Sequence, residues 1–191
     1  MNTDKILPEE EHSTTIYNNW SCETLADFLV NNQHKEAVAA ISEIKHLLKI
    51  VLQIEGKKFP ELLLIMDHFG QLANELVLHM QKEELVLFPY IKKLSDAKVT
   101  GKQLEIPAFK SLIVPVSVME VEHKTAGIIQ KRLFILTKGF AAPDESGIEM
   151  QKLYEQLKQF DEKLHHHVFL ENELLFPKAI QLEREVMKDL I

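Results

Sequence analysis

The sequence predicts an all-α protein, an antiparallel up-down-up-down bundle of four helices. Three observations predict it. Apolar residues recur at three and four spacing over long stretches, with little of the alternation that a strand needs. Helix-breaking residues are sparse, with 6 glycines and 7 prolines in 191 residues. The segments between the periodic stretches are mostly short, which sets successive helices side by side in opposite directions.

Each helix has its own start and stop. The first runs from about Ser21, a side chain suited to capping a helix N-terminus, to a stop at Glu55-Gly56-Lys57. The second starts near Pro60, a good first-turn residue, and extends past Pro89 to about Lys93. A loop of roughly Ser95 to Phe109 follows, containing Gly101 and Pro107. The third helix spans about Ser111 to Lys138, with Pro115 in its opening turns. The Gly139-Phe140-Ala141-Ala142-Pro143-Asp144 segment turns the chain into the fourth, which reaches nearly to Ile191. The expected division is residues 1–20 as an N-terminal arm or short helix and 21–191 as the bundle.

Composition narrows the setting. An apolar fraction of 46% can fill a real core. Lysine plus arginine number 22 against 29 acids, a formal charge of −7, which argues against a nucleic-acid or anionic-membrane surface. The single cysteine, Cys22, excludes a disulfide framework and a cysteine-only zinc cluster, and it fits a reducing compartment. No apolar run approaches the ~18 residues of a membrane span, and the acidic, polar start is not a secretory signal. A soluble cytoplasmic protein, monomer or weak dimer, is the expectation.

The inward seams carry the chemistry. A 4-3-4-3 rhythm in the second helix picks out Ile65, Phe69, Leu72, Leu76, His79, Glu83 and Val86. In the fourth it picks out Leu153, Leu157, Phe160, Leu164, His167, Glu171 and Leu174. The first gives Val30, His34, Ala37, Ile41, Ile44, Leu48 and Val51. The third gives Leu112, Val116, Met119, His123 and Ala126, beyond which its seam blurs. Every helix thus carries a seam histidine, and two add a carboxylate one turn later. A lone core histidine is ordinarily hydrogen-bonded packing, and an i,i+4 His/Glu pair is ordinarily a surface pair. A carboxylate in an apolar seam is different, because it costs several kcal/mol unless paired or metal-bound. No Lys or Arg occupies the neighbouring seam positions, so the pattern points to a metal site.

An internal repeat doubles it. The stretch His79-Met80-Gln81-Lys82-Glu83-Glu84-Leu85-Val86-Leu87-Phe88-Pro89 resembles His167-Val168-Phe169-Leu170-Glu171-Asn172-Glu173-Leu174-Leu175-Phe176-Pro177, 88 residues on, and His34 and His123 are 89 apart. Two helix pairs, each bringing two histidines and one carboxylate, would pack about a pseudo-twofold axis and hold two metals between them. Imidazole and carboxylate without thiolate suits iron, manganese or zinc. Closed four-ligand zinc sites fit poorly, and the ferritin-type Glu-x-x-His spacing is absent. A redox-active di-iron centre bridged by both carboxylates and an oxo or hydroxo group, with an open position on each metal, matches best.

The spacing His34…His79-x3-Glu83…His123…His167-x3-Glu171 resembles the hemerythrin-like HHE cation-binding domain. More narrowly, His79-Met-Gln-Lys-Glu-Glu with Leu87-Phe88-Pro89, Met119-Glu-Val-Glu-His123, and Leu170-Glu171-Asn172 with Leu175-Phe176-Pro177 resemble the di-iron iron–sulfur cluster repair (Repair of Iron Centers) proteins, over about residues 24 to 180. The resemblance implies a hemerythrin-like four-helix bundle with two Fe ions, held by His34, His79, His123 and His167 and bridged by Glu83 and Glu171. It also implies a bacterial cytoplasmic role against nitric oxide and oxidative damage. Full-length members of that family carry a small N-terminal domain with adjacent cysteines; here about twenty residues stand in its place, and Cys22 alone lies next to the start of the first helix. Three functions share the same ligands: repair of, or iron supply to, damaged iron–sulfur clusters; oxygen or nitric oxide binding and sensing; and enzymatic nitric oxide scavenging. The implied partners are those gases and damaged iron–sulfur proteins, with no nucleic acid and no membrane.

Other polar residues read more plainly. His165, His166, His68 and His46 fall off the seams, and His12 lies in the arm. Glu122 precedes a seam histidine and could line a proton or iron path, but an exposed helix acid is the preferred reading. Gly101-Lys102 is not a phosphate loop, since Asp96 stands where its leading glycine should be.

Overall fold

The Ser21 hydroxyl accepts a hydrogen bond from the Thr24 N–H at 3.1 Å, and the first helix begins there as its sequence predicts. The structure, a computed structural model, describes residues 16–188. Helix α1 covers 22–55, with regular segments Cys22–Phe28 and Lys35–Glu55 joined by a π-helical turn at Leu29–His34. Helix α2 covers 62–100, with segments Leu62–Lys82 and Phe88–Thr100 joined by a π turn at Glu83–Leu87. Helix α3, Ile113–Leu136, is regular throughout. Helix α4 covers 148–188, with segments Ile148–Phe169 and Phe176–Lys188 joined by a π turn at Leu170–Leu175. Among the described residues there is no strand. Of the expected arm, only 16–20 are described, with Tyr17 and Trp20 packed on Phe28; His12 lies outside the described residues.

The apolar core comes in two halves. One gathers Ile41 to Val51 of α1, Leu62 to Met80 of α2, Ala126 to Leu133 of α3 and Met150 to Leu164 of α4. The other gathers Cys22 to Leu29, Leu87 to Ala97, Leu112 to Met119 and Leu170 to Val186. The chain therefore runs from the second half to the first in α1 and α3, and back in α2 and α4, which is the up-down-up-down order. Between the halves lies a polar layer at mid-bundle, where the seam histidines and carboxylates sit.

Three expectations are corrected. Helix α2 continues to Thr100 rather than stopping near Lys93, because Ile91, Leu94 and Ala97 go on burying apolar surface and Gly101, at φ 68°, supplies the left-handed end. The seam expected at Val86 moves to Leu87: Val86 is 50% exposed and Leu87 1%, since the π turn adds a residue and rotates everything after it. In α1 the half-buried Val30 yields its place to Leu29 at the other π turn, while in α4 both Leu174 and Leu175 are buried. In α3, where the rhythm blurs beyond Ala126, the buried positions are Ile129, Gln130 and Leu133.

Candidate metal centre

Six side chains meet in the mid-bundle layer. His34 closes the π turn of α1, Glu83 opens that of α2 one turn after His79, and Glu171 lies in that of α4 one turn after His167. His123 comes from regular helix in α3. All six are buried, and Glu83 and Glu171 are 0% exposed. The π turns stand where ligand-bearing helices must bring both a histidine and the next core segment to the axis, a placement typical of such bulges at functional sites.

Glu83 faces two histidines and Glu171 three, with His79 Nε2 4.0 Å from Glu171 Oε2. Glu83 lies 3.5 Å from His34 Nε2 through Oε2 and 3.3 Å from His79 Nε2 through Oε1. Glu171 lies 3.2 Å from His167 Nε2 through Oε1 and 3.1 Å from His123 Nε2 through Oε2. Two candidate cation groups result, His34/Glu83/His167/Glu171 and His79/Glu83/His123/Glu171, each with ligand atoms within 4.8 Å of one another. Both carboxylates belong to both groups.

The residues fit a cation. Both oxygens of Glu83 and of Glu171, with Nε2 of His34 and of His167, are buried without any hydrogen-bond partner. Such orphaned acceptors are costly unless something positive lies among them. Among the described residues, the ion pairs of the two acids are with histidines alone. His79 and His123 set their Nε2 atoms 3.0 Å apart, about the separation of adjacent ligands around an ion with bonds near ~2.1 Å.

An outer layer aims the rings. His34 Nδ1 meets Glu84 Oε1 at 2.7 Å, His79 Nδ1 meets Glu122 Oε2 at 2.9 Å, and His123 Nδ1 meets Asn172 Oδ1 at 3.0 Å. With Nδ1–H donating outward, each Nε2 keeps its lone pair for the centre. Lys82 in turn pairs with Glu122. Without a cation, protons do part of its work. Burial opposes charge on His79, but the nearby Glu171 and Glu83 carboxylates outweigh it and push the imidazole up to about 11. Burial, then the charge of Glu171, pushes Glu83 up to about 7. Burial alone would also raise Glu171, yet His167, His123 and His79 hold its carboxyl well below the usual range.

A cavity of about 260 Å³ opens on the centre between α2 and α3 and reaches His79, His123 and His167 past Leu76, Leu78 and Ala126. On the α1–α4 side the opening is about 20 Å³ and reaches His167 alone.

A family model for the hemerythrin HHE cation binding domain matches residues 26–179. The chain belongs to that family. It is similar to an iron-sulfur cluster repair protein YtfE of Yersinia pseudotuberculosis serotype IB (strain PB1/+), 27% identical over 177 residues, which are 93% of this chain and 74% of the relative. The protein of the same name from Yersinia pestis (strain Pestoides F) shows the same identity and coverage.

Within this hemerythrin bundle, the six residues that the seam rhythm selects are the six that converge. The off-seam histidines do not join them. His165 bonds to the Asp161 carbonyl at 2.8 Å, the His166 ring lies 5.6 Å from that of Tyr17, and His46 is exposed. The outer layer has no counterpart among the sequence expectations: Glu122, expected as an exposed acid, is 30% exposed and bonded to His79. A signal was there. Glu84 and Asn172 each follow a seam carboxylate, and the 88-residue repeat places them at matching positions.

Proposed function

We propose that the chain holds an oxo- or hydroxo-bridged di-iron centre, with His34 and His167 on one ion, His79 and His123 on the other, and Glu83 and Glu171 bridging. The observation that carries this reading is the sharing of both carboxylates between the two candidate cation groups. Nitrogen and oxygen donors without thiolate suit iron, manganese or zinc, and the relatives named for iron–sulfur cluster repair favour iron. Such a centre supplies redox activity and an open coordination position. The chain's own residues bind and orient it: Glu84, Glu122 and Asn172 fix three rings, and the two core halves exclude water above and below.

The function supported best is repair of, or iron supply to, damaged iron–sulfur clusters under oxidative or nitrosative stress, in the cytoplasm. A second reading, binding of oxygen or nitric oxide, is favoured by the apolar-walled cavity that leads to His79 and His123. Among the described residues no helix is long and apolar enough to cross a membrane. The test starts from metal analysis of protein purified from cells. Reduced, loaded protein is then mixed with a nitric-oxide-damaged iron–sulfur enzyme while activity and optical spectrum are followed. Regained activity is expected. Gas binding without it would favour sensing, turnover of nitric oxide would favour scavenging, and absence of iron would end the di-iron reading.

A further inference from the structure

We propose that Lys82 is a positioning residue: by pairing with Glu122 across the mouth of the α2–α3 cavity, it latches the His79 ring and slows loss of metal from the His79/His123 position. The inference rests on the di-iron reading above.

Exposure falls inward along one line of contacts. The Lys82 side chain is 50% exposed, Glu122 30%, and His79 4%. One carboxylate does two tasks, since Glu122 Oε2 accepts from His79 Nδ1 while Oε1 takes the Lys82 ammonium. Lys82 is on α2 and Glu122 on α3, so the pair ties together two of the three helices that wall the cavity. A half-exposed ion pair adds little to global stability. Its leverage is local, because the ring it steadies is one that the centre uses.

The internal repeat supplies a comparison inside the same molecule. The 88- and 89-residue offsets relate Lys82 to Leu170 and Glu122 to Gln33, so the matching positions on the opposite side hold no such pair. There Gln33 lines the opening of about 20 Å³ with Ala37, Ala40 and Leu164, and the Lys163–Glu36 pair that also lines it joins two exposed side chains rather than a ring of the centre. The pair that holds a histidine ring stands beside the larger of these two openings to the centre. That cavity reaches both histidines of the His79/His123 group and only one of the other, so the two metal positions differ in access.

Wild type, Lys82→Met, Lys82→Arg and Lys163→Met are loaded anaerobically with ferrous iron, and transfer to an excess of a coloured ferrous chelator is timed. The iron keeps its oxidation state and only exchanges ligands. Lys163 is the control, because its 2.8 Å pair with Glu36 lies beside the small opening. Equal iron content and equal melting temperature of the metal-free variants establish that each folds. Expected is about tenfold faster release of half the bound iron from Lys82→Met, with the other half unchanged, near wild-type rates for Lys82→Arg, and no effect of Lys163→Met. Added salt should quicken release from wild type and leave Lys82→Met unmoved, because screening weakens only a pair that exists. Superimposable wild-type and Lys82→Met traces, equal acceleration of both halves, or the same acceleration in Lys163→Met would overturn the latch while leaving the di-iron reading intact. Wild type that takes up no iron would overturn both.

Discussion

Glu83 and Glu171 put two carboxylates at 0% exposure with all four oxygens lacking hydrogen-bond donors. Burial on that scale costs several kcal/mol per ion unless a positive group repays it. Replacing either by Ala should lower iron content towards one or zero ions per chain, but the two should differ in the metal-free protein. Glu83→Ala should leave its melting temperature level or raise it, because burial and the charge of Glu171 disfavour that carboxylate, whereas Glu171→Ala should lower it, because three histidines stabilise the charge that is lost. Elemental analysis and thermal melts of the same samples check both signs, and undiminished iron in the double variant would show that the acids are not ligands. These residues were legible because an acid in an apolar seam breaks the pattern around it. Glu122 was not, since an acid off the seam looks the same whether it meets water or the back of His79.

At the scale of the element, the π turns decide what a 3.6-residue rhythm cannot. The rhythm sends Val86 inward, whereas the structure buries Leu87. Leu87→Ala should cost about 2–5 kcal/mol and Val86→Ala within about 0.5 kcal/mol, measured by denaturant unfolding; the reverse ranking would mean regular helix through Glu83–Leu87. Helix α3 poses the other difficulty. Its seam blurs because Val114, Val118, Val121, Ile128 and Ile135 leave its outer face apolar too, so the contrast that marks a buried stripe is weak. Its first turn is tied down from α4. The buried Glu183 carboxylate accepts the Leu112 N–H at 2.9 Å, the Ser111 hydroxyl at 2.8 Å and the Tyr90 hydroxyl at 3.3 Å. Burial, then the charge and hydrogen bond of Glu183, pushes the Tyr90 phenol up to about 12. The folded state thus favours the neutral phenol. Its contribution to stability is complete below the unfolded phenol value near ~10 and is lost as pH rises through about 12. Alkaline titration at a phenolate wavelength should place Tyr90 ionisation at that upper limit, and Glu183→Gln should bring it down.

Over the whole molecule, the polar layer divides the core into two halves that depend on each other through the centre. A ligand that binds only the folded chain stabilises by about 2.7 kcal/mol at a hundredfold excess over its dissociation constant. For a bundle of this size that corresponds to a melting shift of roughly 5–10 °C. Chelation should lower the melting temperature of loaded protein by that amount and iron should restore it; identical melts with and without iron would mean that the layer is not a metal site.

The sequence by itself determined the all-α class, the order and approximate length of four helices, and the inward placement of His34, His79, Glu83, His123, His167 and Glu171. It could do so because those properties follow from periodicity and from the cost of burying charge, both local to a helix. Only the tertiary structure decided the shift from Val86 to Leu87, the inner face of α3, and the pairing of Glu84, Glu122 and Asn172 with particular rings. Only it decided the difference between the two openings to the centre as well. Each of these depends on what a neighbouring helix presents across a few ångströms, and no residue carries that information alone.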